Sequence, residues 1–343
     1  MQPGKAGYTL RSHGSNTAGV WRVQSSIRRV GIPRALSHHT RGALWDAYFS
    51  ALGIQTVLSP KTSRAIIDEG CRLAVDETCL SVKVALGHVA WLSERCDAVL
   101  VPRYVSVGRG ERECSKFWGI CDIVRNSVPG VELLTYSVDA MHRTHARTTE
   151  RGELYRLARR LGASRPKAAY AVARALSAHR RERAERVGTN PARTATGEHP
   201  RVLVVGHAYN LYDDAIGQPI VRELERQGCD VVDSESVDHR LAARLAHKAS
   251  PSLYWTNSRQ LLGSVEYWRD HVDGIVFLVT FPCGPDSLVT ELAVRRMKDV
   301  PVVTLIVDEH SGETGLQTRL ESFADILRMR REGRAPGCGA AVA

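Results

Sequence analysis

Several things are missing from this 343-residue chain, and each absence excludes a function class. No apolar run approaches the roughly 20 residues a membrane-spanning helix needs, and no apolar stretch follows the basic N-terminal residues as a secretory leader requires. There is no G-x-G-x-x-G and no Walker A sequence, so neither a dinucleotide fingerprint nor a P-loop is expected. The eight cysteines include no C-x-x-C pair, which argues against a zinc ribbon or a thioredoxin-type site. Lysine occurs only seven times, so the net charge of +10 is carried mostly by arginine. The arginines are densest in His179–Arg186, where glutamates interleave them, the pattern of a solvated helix face. Zinc-finger, helix-turn-helix and RNP patterns are absent, and a nucleic-acid partner is not expected. A basic pocket for an acidic ligand such as a nucleotide or a CoA tail stays open.

What is present is an α/β pattern. Short β-rich apolar runs alternate with helical segments of ten or more residues, which implies right-handed βαβ units and parallel sheets. The expected fold is α/β, with two Rossmann-like lobes whose parallel sheets face a cleft, joined by a helical segment. The divisions are a disordered tail at 1–28, a first α/β lobe at 29–140, a helical connector at 141–187, a linker at 188–200, a second α/β lobe at 201–332 and a disordered tail at 333–343. The layouts of the two lobes resemble one another.

The clearest stretch runs from Phe277 to Ser287. Gly274–Thr280 reads as a strand buried on both faces. Pro282-Cys283-Gly284-Pro285 ends it, and Asp286 or Ser287 then caps a helix from about Leu288 to Lys298. A cysteine is thus expected between a strand's carboxyl end and a helix's amino end, where the helix dipole favours a thiolate. Polar residues collect at other strand ends too: Pro33-Arg34, Pro102-Arg103 and then Cys114, the stretch Gly206–Asp213 with His207, and Asp308-Glu309-His310 with Glu313. Open α/β folds bind ligands on that side of the sheet. Cys79 begins a helix on the same side, with Lys83 and Gly87 on one face with it.

Two facing lobes would bring Cys79, Cys114 and Cys283 to one cleft, with 34 and 168 residues between successive members. Soft thiolates suit zinc, copper(I) or iron–sulfur, and wide spacing suits a cluster cradled between lobes better than a structural zinc. Cys71, Cys96 and Cys229 read as core residues, Cys338 as part of the tail, and Cys121 is undecided. The acid–base candidates are Lys83, His88, His207, Glu309 and His310. His88 is read as a capping or surface histidine, and Asp308–Glu313 also as a cap for a helix starting near Gly315.

These residues carry a family resemblance. VGIPRAL (30–36), DETCLSVKVALGHV (76–89), CSKFWGICDIVRNSVP (114–129), GHAYNLYDDAIG (206–217) and PCGPDSLVTEL (282–292) occur in the same order in acyl-CoA dehydratase-activase-related proteins. The chain resembles that family, within the 2-hydroxyacyl-CoA dehydratase and double-cubane cluster superfamily, over about residues 29–332. The resemblance implies an oxygen-sensitive, cytoplasmic iron–sulfur protein whose three cysteines, here Cys79, Cys114 and Cys283, hold a [4Fe-4S] cubane or a shared double cubane. It also implies an ATP-dependent activase that delivers one electron, for dehydration of a 2-hydroxyacyl-CoA through a ketyl radical or for reduction of a small molecule. A homodimer or a dehydratase partner subunit goes with it. Ser81 and Ser115 stand where family members often have Pro, and Cys121 where they have an apolar residue or Pro. Competing readings are a non-enzymatic electron-transfer subunit, a structural zinc protein using the three cysteines and His88, and a metal-free CoA-ester-binding regulator.

Overall fold

The computed structural model describes residues 27–108, 110–141, 148–188 and 197–333. Most of both expected tails, with Cys338, and most of the expected linker lie outside them.

Strands β1 (Arg29–Ile32), β2 (Gln55–Leu58), β3 (Ala98–Leu100) and β5 (Leu133–Leu134) form a parallel sheet in the order β2-β1-β3-β5. Strands β7 (Arg201–Val205), β8 (Asp230–Asp233), β9 (Gly274–Thr280) and β10 (Val302–Val307) form a second, in the order β10-β9-β7-β8. Both sheets follow one plan: the second strand lies outside the first, and the third and fourth lie on the first strand's other side. The chain is therefore a mixed α/β protein with parallel sheets. The short strands β4 (Arg103–Ser106) and β6 (Ser137–Asp139) pair separately, in what the sequence reads as loop.

Alternation explains the second sheet. Every residue of β9 is buried. Val276 and Leu278 enter one core with Val202 and Val204, while Ile275 and Phe277 enter another with Leu203 and Val205. A strand covered on both faces needs a continuous apolar run, and Gly274–Thr280 supplies it. The first face is covered by α9 (Gln218–Arg226) and α13 (Glu313–Arg331), the second by α10 (His239–Ala249), α11 (Thr256–Trp268) and α12 (Gly284–Val294).

Helix α3 (Leu80–Ser93) ties the sheets together. Val82, Leu86, Val89 and Leu92 pack with Val99 and Val101 of the first sheet region, whereas Leu80, Val84 and Ala85 pack with Val204, Leu278 and Val307 of the second. A helix buried on all sides needs apolar or small residues nearly throughout. Leu80 through Val89 are all buried. Its neighbour α2 (Arg64–Leu73) approaches so closely that a Cβ on Gly70 would lie 1.9 Å from the Lys83 carbonyl oxygen, and one on Gly87 2.0 Å from that of Ile66.

The stretch expected to be helical throughout is instead two helices, α6 (Glu150–Arg160) and α7 (Arg165–Gly188), separated by Gly162 at φ 85°. Thr149 caps α6 by accepting from the Gly152 amide. Leu154, Leu157, Ala168, Ala171 and Ala175 pack with Tyr48, Phe49 and Leu100, so these helices complete the first sheet's core, together with α1 (His38–Leu52). Gly53, at φ 72°, ends α1 in the left-handed conformation that only glycine adopts freely.

Candidate functional site

Each of the three cysteines is an N-cap residue. Cys79 precedes α3, Cys114 precedes α4 (Ser115–Trp118), and Cys283 precedes α12. His207 stands in the same position before α8 (Ala208–Leu211). Each has extended backbone, and its carbonyl accepts a first-turn amide: from Val82 at 2.9 Å, Phe117 at 3.0 Å, Ser287 at 3.1 Å and Asn210 at 2.8 Å. The helix after β9 therefore begins at Gly284, earlier than the sequence suggests, because Cys283 itself is the cap. Asp286, expected as a cap, falls in the first turn.

His207 follows β7 and Cys283 follows β9. The second sheet's order reverses between these two strands, which is where open α/β sheets bind ligands. The first half of the chain joins there through α3. The Leu80 amide donates to the Phe281 carbonyl at 3.1 Å. The Ser81 hydroxyl donates to Asn210 Oδ1 at 2.7 Å and lies 3.0 Å from the Thr280 hydroxyl. Ser81, a departure from the family pattern, thus finds buried partners at a helix position where Pro is also tolerated. Cys114 is held on its own side: Asn257 donates to Glu113 at 2.9 Å, and the Phe117 ring lies 5.6 Å from that of Tyr209.

The thiols sense one another. Burial pushes the Cys114 thiol up to about 11, and a charge on Cys79 adds to the rise. Burial likewise raises Cys283, assisted by Asp286 and Cys79, and raises Cys79 against the pull of the Val82 amide. Burial thus opposes the thiolate at all three positions, while the first-turn amides and helix amino ends favour it. Tyr209 lies among them, its phenol raised by burial and then by Asp286, Cys283, Cys114 and Cys79. Its ring stacks on His207 at 4.9 Å.

His207 and Asp286 form the most buried polar pair here. His207 Nε2 and Asp286 Oδ1 approach to 2.5 Å, with side chains 6% and 2% exposed. Burial disfavours the imidazolium, but Asp286 outweighs it and the histidine's pKa is raised. The contact is not a directed hydrogen bond, and both Asp286 oxygens lack a hydrogen-bond donor. His207, Cys283 and Asp286 each offer a ligand atom within 4.8 Å of the other two. Soft thiols at positive helix ends, with an imidazole and a carboxylate beside one of them, fit a bound metal or cluster.

The other candidates lie apart. Lys83 is buried and donates to Glu309 Oε1 at 2.5 Å, linking α3 to the loop after β10. His88 is neither capping nor at the surface. It is fully buried within α3, 3.0 Å from the Thr62 hydroxyl, which in turn donates to Asp213 at 2.5 Å. His310 is exposed in a turn where its amide donates to Asp308 at 2.9 Å, and the following helix begins at Glu313, not Gly315. Cys121 is a core residue whose thiol donates to the Val101 carbonyl at 3.3 Å. Sequence reasoning names Asp286 only as a helix cap and does not pick out Tyr209; a carboxylate three residues after Cys283 is the available signal.

A cavity of about 400 Å³ is lined by Phe117 and Tyr209, by Arg41, Arg183 and Arg240, and by the carboxylates Glu113 and Glu150, the last of which pairs with Arg41. No membrane-spanning helix occurs among the described residues.

No curated protein matches the chain. Among solved structures, the tagatose-6-phosphate ketose/aldose isomerase from Escherichia coli aligns over 93% of this chain and 86% of its own, with 11% identity. Its TM-score of 0.24 carries no argument about fold or activity. Residues 29–237, which include Cys79, Cys114 and His207 but not Cys283, match the family described as the CoA enzyme activase uncharacterised domain. The chain belongs to this CoA-activase-related family.

Proposed function

We propose that this chain is an iron–sulfur redox protein related to 2-hydroxyacyl-CoA dehydratase and double-cubane subunits, with its cluster held by Cys79, Cys114 and Cys283. The observation that supports the reading is that all three cysteines are N-cap residues, that Cys79 acts electrostatically on both Cys114 and Cys283, and that Tyr209 feels all three. On this reading the two sheets belong to Rossmann-like lobes with the cluster between them. When bound, the cluster supplies low-potential one-electron chemistry.

The chain's own groups do the rest. The amino ends of α3, α4 and α12 offset the negative charge of the thiolates. Cys79, Cys114 and Cys283 would hold the cluster as thiolates, giving up their thiol protons. Phe117 and Tyr209 line a cavity whose arginines would suit an acidic substrate such as an acyl-CoA. An ATP-dependent activase is the electron donor, and a second copy or a dehydratase subunit is the partner. A cytoplasmic location follows, where thiols stay reduced.

The test is anaerobic purification with iron, zinc and acid-labile sulfide analysis of the wild type and of Cys79→Ala, Cys114→Ala and Cys283→Ala. Iron and sulfide in about four-to-four or eight-to-nine proportion, lost from each folded variant, support the cluster. Zinc without sulfide overturns it. Turnover with activase, ATP and an acyl-CoA then separates an enzyme from an electron carrier.

A further inference from the structure

We propose that the cavity binds an organic phosphate, with Arg183 and Arg240 as the pair that grips its phosphoryl group from the two halves of the chain. The inference rests on the reading of this cavity as the substrate site. It names the chemistry of the ligand and the residues that select it.

The first observation is which arginines are free. Five arginines line the cavity. Three of them face carboxylates: Arg41 meets Glu150 at 3.1 Å, Arg186 meets Glu182 at 2.7 Å and Arg259 meets Glu111 at 3.4 Å. Arg240 makes no ion pair among the described residues. Arg183 has only Asp238, at 3.9 Å. His179 also lines the cavity, but burial, with Arg41 beside it, lowers it to about 4, so it adds no charge near neutrality.

The second observation is where the two free arginines stand. Arg183 belongs to α7, which completes the first sheet's core, and Arg240 lies in the first turn of α10, which covers the second sheet. Asp238, the N-cap of α10, accepts from the amides of Arg240 at 2.9 Å and Leu241 at 3.2 Å. Arg183 approaches that same carboxylate, so the two arginines meet around one turn of backbone. Both are exposed residues that nonetheless line the cavity, which sets them at its rim. Leu36, Phe117 and Tyr209 add apolar surface for an organic body, and about 400 Å³ falls within the roughly 300–1,000 Å³ of small-molecule sites.

The geometry favours phosphate over carboxylate. One guanidinium satisfies a planar carboxylate, fork to fork, and leaves little for a second. A phosphate ester offers more charge and a tetrahedral set of oxygens, which two guanidiniums from different elements can share. A ligand held by both would tie α7 to α10 and so brace the two halves.

The experiment uses the full chain, purified anaerobically and assayed for iron and sulfide. Binding of AMP, CoA, adenosine and succinate is measured by titration calorimetry. AMP or CoA should bind, and adenosine and succinate should not. Affinity for the phosphorylated probe should fall about tenfold in Arg183→Gln and in Arg240→Gln. It should not change in Arg181→Gln, an exposed arginine of the same helix that lines a separate groove against α1. Circular dichroism identifies any variant that fails to fold, and the corresponding Arg→Lys variant then replaces it, with a smaller loss expected. Binding of both AMP and CoA marks a site for any nucleotide phosphate and binding of CoA alone a site for CoA compounds; either supports the pair. No binding of a phosphorylated probe, adenosine or succinate binding as tightly as AMP, or affinity that survives both substitutions overturns the inference. Phosphate binding without iron leaves this inference standing and removes the redox reading, whereas iron and sulfide without phosphate binding do the reverse.

Discussion

Replacing Gly87 by alanine tests how α3 is held. In an isolated helix the change is favourable by about 1 kcal/mol, because glycine is the poorer helix former. In this protein an ideal Cβ at Gly87 lies 2.0 Å from the Ile66 carbonyl oxygen and 2.9 Å from its carbonyl carbon. Both are backbone atoms of α2, so no side chain can rotate away. Reaching even 3.0 Å requires α2 and α3 to part by about 1 Å. Their second close approach, at Gly70 against Lys83, opposes that movement, and the other faces of α3 are packed in two cores. Overpacking of a rigid core costs about 1–3 kcal/mol, and this site belongs at the upper end. The net expectation is a loss of about 2 kcal/mol, read from urea denaturation in reducing buffer. Metal content should fall as well, because Cys79 is the N-cap of the displaced helix. Gly315→Ala is the control: it too lies in a helix, its Cβ would meet nothing within 4 Å, and it should be neutral or stabilising. If Gly87→Ala equals or exceeds the wild type in stability, the close-packing argument fails.

Three other outcomes follow from buried polar groups and cysteines. Lys83→Met alone, which leaves the partly buried Glu309 without its cation, should cost about 1–3 kcal/mol, while adding Glu309→Gln should recover most of the loss; equal costs for single and double variants would refute the coupling. That pair also has an acid limit. Glu309 is lowered in the folded protein, so its contribution is complete above the ordinary value of 4.5 and is lost as pH falls through the lower folded value. His88 behaves oppositely: burial lowers it from 6.5 to about 3, so below pH 6.5 the unfolded chain takes up a proton that the folded chain refuses. Stability should fall by about 1.4 kcal/mol per pH unit from this group, and His88→Asn should remove that share of the slope between pH 6 and 5 in denaturation curves. Cys121→Ala should cost about 1 kcal/mol of stability through lost packing and leave iron and sulfide unchanged, in contrast to Cys114→Ala; loss of metal from it would reopen the ligand assignment.

The elements that sequence patterning recovers are those decided locally. Gly274–Thr280 reads as a buried strand because both faces demand apolar residues, and Gly53 reads as a stop because it follows a periodic run. β4 and β6 escape because Arg103–Ser106 and Ser137–Asp139 have neither an apolar run nor a clean alternation; their pairing with each other, across 34 residues of chain at Arg103 and Ser137, defines them. The break at Gly162 hides in an arginine- and alanine-rich stretch whose helix propensity is high on both sides. Cys79, Cys114 and Cys283 were legible because Gly, Pro and polar neighbours mark strand and helix ends. Asp286 was not, since next to Cys283 it satisfies the rules for a helix cap. Only contact with His207, 79 residues away, gives it another role. His88 was misjudged for the same reason: Thr62 and Asp213 bury it from two distant segments.

The cysteines differ in how firmly the fold holds them, which predicts where metal matters. Cys79 heads a 14-residue helix packed in two cores, and Cys283 follows the fully buried β9. Cys114 heads a helix of only four residues. Its segment is held by a few backbone bonds, notably the Arg112 amide to the distant Tyr254 carbonyl at 2.8 Å and the Glu113 amide to the nearby Val105 carbonyl at 2.9 Å. Burial disfavours the thiolate at all three places, which reduces any charge cost they impose on the fold. The cores contain none of them as a central member, so the metal-free chain should fold, unlike small domains that need metal to do so. Local opening should instead concentrate where packing is thinnest. Hydrogen exchange of metal-free and metal-loaded protein should therefore differ most at residues 112–119, less at the start of α3, and hardly at all within β9. Equal gains in protection throughout the chain on loading would show that metal binding and global folding are one event, and would refute this division of labour between cores and site.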